Sequence, residues 1–326
     1  MDENHQIIAL PHPAIRSQAA LDFARAATSE NTQRAYRAGW RVFTDRFCVD
    51  LGYQPLPATP ETVVEFITWS SDQVKVSTIE ARLAAISFAH RLAGFPDPTA
   101  DNDVRLVMMG LRKKKGMPPE RQDPLMDQSL QKALTALPRS LRGTRDRALL
   151  LIGYACALRR SEIAAMKIDD LRFSEGEMVV ALPRRKTDPY GHGTTIVVPK
   201  VGGPLCAVTA LRRWLRESGI EKGPIFRRID RWENLGSDRL DGKSIADIIK
   251  AAAKSAGLDS LRISGHSLRV GFVTSADEHN VPIGRIREVT GHRSDSIYAY
   301  IRDRGRGGRK AIEAVLQPSM SEPSKN

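Results

Sequence analysis

Cysteine is scarce in this sequence and badly placed for cross-linking. Cys48, Cys156 and Cys206 are odd in number and far apart, which argues against a disulfide framework and a zinc knuckle. H-E-x-x-H, C-x-x-C and clustered-carboxylate patterns are all missing, so no metal and no cofactor is expected. His192, between Gly191 and Gly193, reads as a turn residue rather than a ligand. Long apolar runs are lacking too, and none approaches the roughly 20 residues that span a bilayer. The N-terminus, Met1-Asp-Glu-Asn followed by Pro11 and Pro13, does not have the pattern of a signal peptide. No internal repeat is visible. These absences place the chain in a reducing cytoplasm, away from membranes.

Acidic residues are in deficit. Lys and Arg number 50 against 38 Asp and Glu, giving a net charge of +12 and a pI near 9.8. A surplus of that size favours a polyanionic partner. Nucleic acid leads, although a basic surface alone would also suit RNA or an anionic membrane. With 326 residues the chain has room for two ordinary domains, each with its own core.

Periodicity divides the chain. Residues 1–28 are weakly patterned and read as a partly disordered N-terminal segment. From Ser29-Glu-Asn-Thr32, a helix-cap pattern, the apolar residues Tyr36, Trp40, Phe43 and Phe47 recur at helical spacing. Thr59-Pro60-Glu61 predicts a second helix with proline in its first turn. A third follows Ser77 and stops before Gly94, and a fourth covers Asp103 to Leu111. Residues 29–111 thus form a small all-helical domain. Residues 112–124, with three consecutive lysines and adjacent prolines, read as a linker. Residues 125–308 are mostly helical, with segments at 129–137, 144–158, 205–215, 244–256, 266–276 and 282–289. Met178–Leu182 and Thr194–Val198 are rich in β-branched residues and flank a glycine-containing turn, a hairpin signal that gives this domain one small sheet. Residues 309–326 hold a short amphipathic helix and a tail.

Four pieces of the second domain could carry chemistry. They are Arg159-Arg-Ser-Glu162, Lys186 by the hairpin turn, His266-Ser-Leu-Arg269, and His292 with Tyr298 and Tyr300 beyond it. The spacing of His266 and Arg269 sets them on one face of a helix. Singly, each has an ordinary reading as a solvated helix start, an exposed lysine, a satisfied histidine or a packing tyrosine.

In order, they resemble the active-site signature of the tyrosine recombinase, or phage integrase, family. The stretches ALRRSEIAAMKIDDL, GHSLRVG and TGH are similar to its motif boxes. TSENTQRAYRAGWRVF and YIRD resemble its Cre-type members, and the likeness runs over residues 29 to 316. One position differs: Cre-type enzymes carry tryptophan where this chain has His292, as many other members do.

The resemblance implies a mainly α fold, with a helical core-binding domain and a mostly helical catalytic domain carrying a small antiparallel β-sheet. It implies site-specific cleavage and rejoining of DNA through a 3′-phosphotyrosyl intermediate and a Holliday junction, without metal or ATP. The partners implied are double-stranded DNA with paired recognition sites and three further copies of the chain, a homotetramer on two duplexes at the nucleoid. Arg159 and Arg269 would hold the scissile phosphate, Lys186 would protonate the leaving oxygen, and His266 would move the nucleophile's proton. His292 would donate to the phosphate, Glu162 would position the arginines or His266, and Tyr300 would attack. Thr32, Gln33, Arg34, Ser77, Thr78 and Arg82 would face major grooves, while Lys113, Lys114 and Lys115 would meet phosphates.

The nucleophile is open on spacing. Tyr300 follows His292 by eight positions and Tyr298 by six, and neither matches the usual interval of the family. The YIRD context favours Tyr300. Two rival functions are a type IB topoisomerase-like strand-passing enzyme and a catalytically inactive site-specific DNA-binding protein of the same fold.

Overall fold

Ser29 starts the first element as its sequence demands. Its hydroxyl accepts the Thr32 N–H at 3.2 Å, and helix α1 runs Glu30–Phe43. The side chain thereby satisfies one of the amides that a helix start leaves without a partner. The computed structural model describes residues 28–116, 123–183, 193–259, 262–292 and 297–298. Residues 1–27, Lys186, His192, Tyr300 and the 309–326 tail lie outside them. The chain divides into two compact units, Met1–Pro119 and Glu120–Asn326.

In the first unit a wider π turn, Thr44–Cys48, and a short turn, Val49–Leu51, continue α1. Helix α2 is Pro60–Ser71, capped by Thr59 with Pro60 at its start; α3 is Val76–Leu92 and α4 is Asn102–Lys115. The core is aromatic: Phe43 and Phe47 each meet Phe66 edge-on, at 5.1 and 5.2 Å between ring centroids. Trp40, Phe43 and Phe47 are all buried, whereas Tyr36 is half-buried against Phe88. His90 is fully buried, and Ala58 N–H donates to its Nε2 at 2.8 Å. Its Nδ1 must then carry the proton it gives to the Ile86 carbonyl, also at 2.8 Å. Burial lowers the basicity of this ring below the ordinary histidine range.

The fourth helix runs past its expected end. Arg112 and Lys113 to Lys115, assigned to the linker, form its last turn. Cations there offset the carbonyl end of the helix dipole. Arg112 also reaches Glu80 of α3 at 2.7 Å, and Lys115 pairs with Asp72 beyond α2.

The second unit opens with α5 (Asp127–Thr135), α6 (Leu141–Ala155) and the short α7 (Arg160–Ala165). Strands β1 (Leu171–Phe173), β2 (Glu177–Leu182) and β3 (Thr194–Pro199) form an antiparallel sheet in that order. Met178, Val180 and Leu182 of β2 and Ile196 and Val198 of β3 point into the core, the alternation a half-buried sheet requires. After α8 (Ala207–Ser218) a second sheet, absent from the sequence reading, pairs β4 (Arg227–Ile229) with β5 (Leu235–Arg239). Helices α9 (Gly242–Ser255), α10 (Ser267–Glu278) and α11 (Ile283–Thr290) complete the described fold. Trp214 of α8 is wholly buried and donates its indole N–H to the Ile225 carbonyl at 3.0 Å.

Two glycines bring the helices near the site together. A Cβ on Gly153 of α6 would stand 2.9 Å from both Ile163 of α7 and Leu268 of α10. One on Gly271 of α10 would fall 2.1 Å from the Leu125 carbonyl oxygen. At Gly271 only hydrogen fits, since the obstacle is backbone, whereas at Gly153 the two methyl ends would have to move. Cys48, Cys156 and Cys206 are buried and form no disulfide with one another. Among the described residues no helix is long and apolar enough to cross a membrane.

Candidate active site

Two loops of the second unit meet the side chain of Arg269. The first follows α6, where Ala157 takes a left-handed conformation (φ 47°). This is uncommon for a residue with a side chain. Its carbonyl accepts Arg269 Nη1 at 2.8 Å across 112 positions of sequence. Arg269 is 1% exposed, so its charge lies inside the protein but for the face it turns to the site.

Arg159 ends the same loop in an extended conformation and caps α7. Glu162, buried one turn later, accepts the Arg159 backbone N–H at 2.7 Å and its Nη1 at 2.8 Å. One carboxylate therefore fixes both ends of this arginine. The Nη1 bond joins two charged groups and is stronger than a neutral hydrogen bond.

The second loop closes α11. Gly291 ends that helix in the left-handed region (φ 69°), where glycine carries no Cβ penalty, and sends the chain back to His292. Thr290 donates its hydroxyl to the Ile286 carbonyl at 2.8 Å. The Thr290 oxygen can then only accept from His292 Nδ1, 2.9 Å away. That assigns the proton to Nδ1 and leaves the Nε2 lone pair facing Arg269 Nη2 at 3.1 Å.

His266 is placed differently from the sequence expectation. It precedes the first residue of α10 rather than lying on its face, and it is exposed while Arg269 is buried. Two serines build this start: Ser264 Oγ accepts the His266 N–H at 3.1 Å and Ser267 Oγ accepts the Ser264 N–H at 3.0 Å. His266 is thus exposed, and the arginine three positions on is buried. Tyr298 is exposed beside buried Ile297, with the Arg287 guanidinium 5.8 Å from its ring centre. Sequence reasoning missed Ala157 and Thr290. A threonine in a helix's last turn carries no signal of its own, and a left-handed alanine cannot be read from its side chain.

The first-unit candidates occupy two helix starts and one helix end, with Arg82 in the second turn of α3. Thr32 and Gln33 lie in the first turn of α1, where the Thr32 hydroxyl meets Ser29 Oγ at 2.8 Å and Gln33 Nε2 donates to the Thr28 carbonyl at 3.2 Å. Arg34 is exposed and 3.6 Å from Glu30. Ser77 and Thr78 are exposed in the first turn of α3, and Lys113 and Lys114 are exposed at the end of α4. Arg82 is half-buried and turned toward Ser70 Oγ at 3.5 Å.

Comparison with known proteins agrees with this architecture. Residues 124–303 match the phage integrase family. An integrase/recombinase XerD homolog of Selenomonas ruminantium is 37% identical over 279 residues, 84% of this chain and 82% of the relative. The Cre recombinase of Escherichia phage P1 is 28% identical over 270 residues, covering 76% and 77% of the two chains. A crystal structure of the XerH site-specific recombinase on its palindromic difH substrate, after cleavage, superposes with a TM-score of 0.65 at 14% identity. It covers 96% of this chain and 93% of that one. The relatives bear recombinase names, so neither rival reading of the sequence is favoured. With 37% identity across most of its length, the chain belongs to the phage integrase family, that of the tyrosine recombinases.

Proposed function

We propose that this protein is a site-specific recombinase that cuts one DNA strand at a time through Tyr300. The carrying observation is the pair of arginines held by different devices, Arg159 by Glu162 and Arg269 by the Ala157 carbonyl. Two guanidiniums suit the two non-bridging oxygens of a phosphodiester, where charge grows as a fifth oxygen approaches. The Tyr300 phenol oxygen attacks phosphorus, and its proton passes to His266. The 5′ oxygen departs and takes a proton from Lys186. A tyrosine ester conserves the bond energy, so a 5′ hydroxyl of a partner strand can reverse the step without ATP. A tyrosine has a pKa near 10 and ionises poorly at neutral pH, so the arginines carry most of the rate.

His292 has a narrower role than a free imidazole. Its Nδ1 is tied to Thr290, so only Nε2 can meet the phosphate, and it must be protonated to donate. Strand exchange between two duplexes requires four protomers, two per site, and passes through a Holliday junction. In the first unit, Thr32, Gln33, Arg34, Ser77, Thr78 and Arg82 face the duplex grooves and Lys113 to Lys115 its phosphates. The place of action is the nucleoid, in the cytoplasm.

The test is covalent capture on a nicked duplex that carries a cleavage site recovered from DNA enriched by this protein. Arg159→Ala and Arg269→Ala should lower adduct formation by roughly 100-fold or more while duplex affinity changes only a few-fold. Binding that fell in step with the rate would make both arginines general anchors. No adduct from the wild-type chain would favour an inactive DNA-binding protein.

A further inference from the structure

Arg160 follows Arg159 but does something else with its side chain. Arg159 turns inward to Glu162, whereas Arg160, the first residue of α7, is exposed. Arg160 has no hydrogen bond or ion pair among the described residues. The carboxylates around it are engaged: Glu162 with Arg159, and Asp241 with Arg228 at 3.1 Å and the Ser244 N–H at 2.7 Å.

Its stem is nonetheless held. A Cβ on Gly265, the residue before His266, would lie 2.8 Å from Arg160 Cδ, 3.2 Å from its Cβ and 3.3 Å from its Cγ. A Cβ on Gly242, the first residue of α9, would lie 3.3 Å from Arg160 Nε and 3.5 Å from its Cδ. Neither glycine takes a positive φ, so neither is needed for its backbone. What each leaves room for is the same side chain. An arginine that rests its methylenes in a groove and keeps its head in solvent has given up rotamer freedom without gaining a partner.

We infer that Arg160 is a substrate-positioning residue whose guanidinium grips the DNA phosphate next to the scissile one, with Gly242 and Gly265 as the seat for its stem. This rests on the recombinase reading, because the partner is the duplex being cut. The geometry suits a phosphate: a planar, always-charged fork beside His266, aimed outward from a fixed stem. It supplies register rather than chemistry. The scissile phosphate is delivered to Arg159 and Arg269 by a neighbour held one step along the strand.

The experiment uses the full chain and nicked duplexes bearing a recovered cleavage site, each with one phosphate near the nick made neutral as a methylphosphonate. For wild type, one flanking methylphosphonate should slow adduct formation by about tenfold, the scale of a hydrogen bond to a charged group. Arg160→Ala should slow the unmodified duplex by the same factor and be indifferent to that one methylphosphonate. Arg160→Lys should regain part of the rate. Gly242→Ala, whose Cβ would press on Arg160 Nε at 3.3 Å, should shift the guanidinium, lower the rate partway toward that of Arg160→Ala and add nothing to that variant. A merely structural arginine would leave the methylphosphonate response intact, and equal sensitivity of wild type and Arg160→Ala at every position would overturn the inference. Absence of adduct from wild type on any duplex would instead overturn the recombinase reading on which it stands.

Discussion

Glu162 holds Arg159 at both ends, accepting its backbone N–H at 2.7 Å and its Nη1 at 2.8 Å. The pair is nearly enclosed, with side chains 15% and 6% exposed, so the carboxylate acts on one guanidinium orientation. Glu162→Gln keeps the shape and one acceptor but loses the charge. We expect it to cut the adduct-forming rate by about tenfold, equivalent to roughly 1.4 kcal/mol, with affinity for the duplex little changed. Gel-shift and adduct assays on one substrate check this. Equal losses in both would mean that Glu162 supports folding rather than the orientation of Arg159.

The nucleophile can be assigned by two substitutions. Tyr300→Phe should form no adduct with a nicked duplex, while Tyr298→Phe should still form it. Tyr298 is exposed, with the Arg287 guanidinium 5.8 Å from its ring centre. The opposite outcome would move the nucleophile to Tyr298.

Cleavage should proceed in excess EDTA and without nucleotide, because in the proposed mechanism Arg159, Arg269 and Lys186 would bring the positive charge that a phosphoryl transfer needs. The check is the initial rate of adduct formation with and without chelator. A cleavage step restored only by magnesium would contradict this assignment of charge.

His90 predicts an acid limit to the stability of the first unit. Its folded-state basicity is lowered by burial, so the unfolded chain binds a proton near the ordinary pKa of 6.5 while the folded chain refuses it. The stabilisation is therefore complete above that pH and declines as pH falls below it, down to the lower folded value. The urea midpoint of the full chain, followed by near-ultraviolet circular dichroism, should drop between pH 7 and pH 5. His90→Gln should be less stable at pH 7 and show a flatter pH dependence. An unchanged slope would place the proton elsewhere.

Local chemistry was legible in the sequence. Ser29 before α1 and Thr59-Pro60 before α2 cap helices using atoms within three residues of themselves. Met178–Leu182 announced its strand because one of its faces is buried. Strands β4 and β5, with Arg227-Arg-Ile229 and Leu235-Gly-Ser-Asp-Arg239, have neither alternation nor β-branched runs, and their pairing comes from tertiary placement. The end of α4 was misread because lysines are poor in apolar signal but good at a helix C-terminus. Around the site, residue identities were visible and their support was not. The hydrogen bonds from Arg269 to Ala157 and His292 cross 112 and 23 positions. Exposed His266 and buried Arg269 also depart from the single helical face that their spacing suggested.

The Ala157 carbonyl has an entropic consequence. A free arginine carries about 2 kcal/mol of rotamer freedom, and a cleavage site that had to order one during the reaction would add that amount to its barrier. Because Ala157 adopts its left-handed turn and receives Nη1 when the chain folds, the freedom of Arg269 is surrendered long before DNA arrives. Folding stability bears the cost of that order, and the barrier to strand cleavage is spared it.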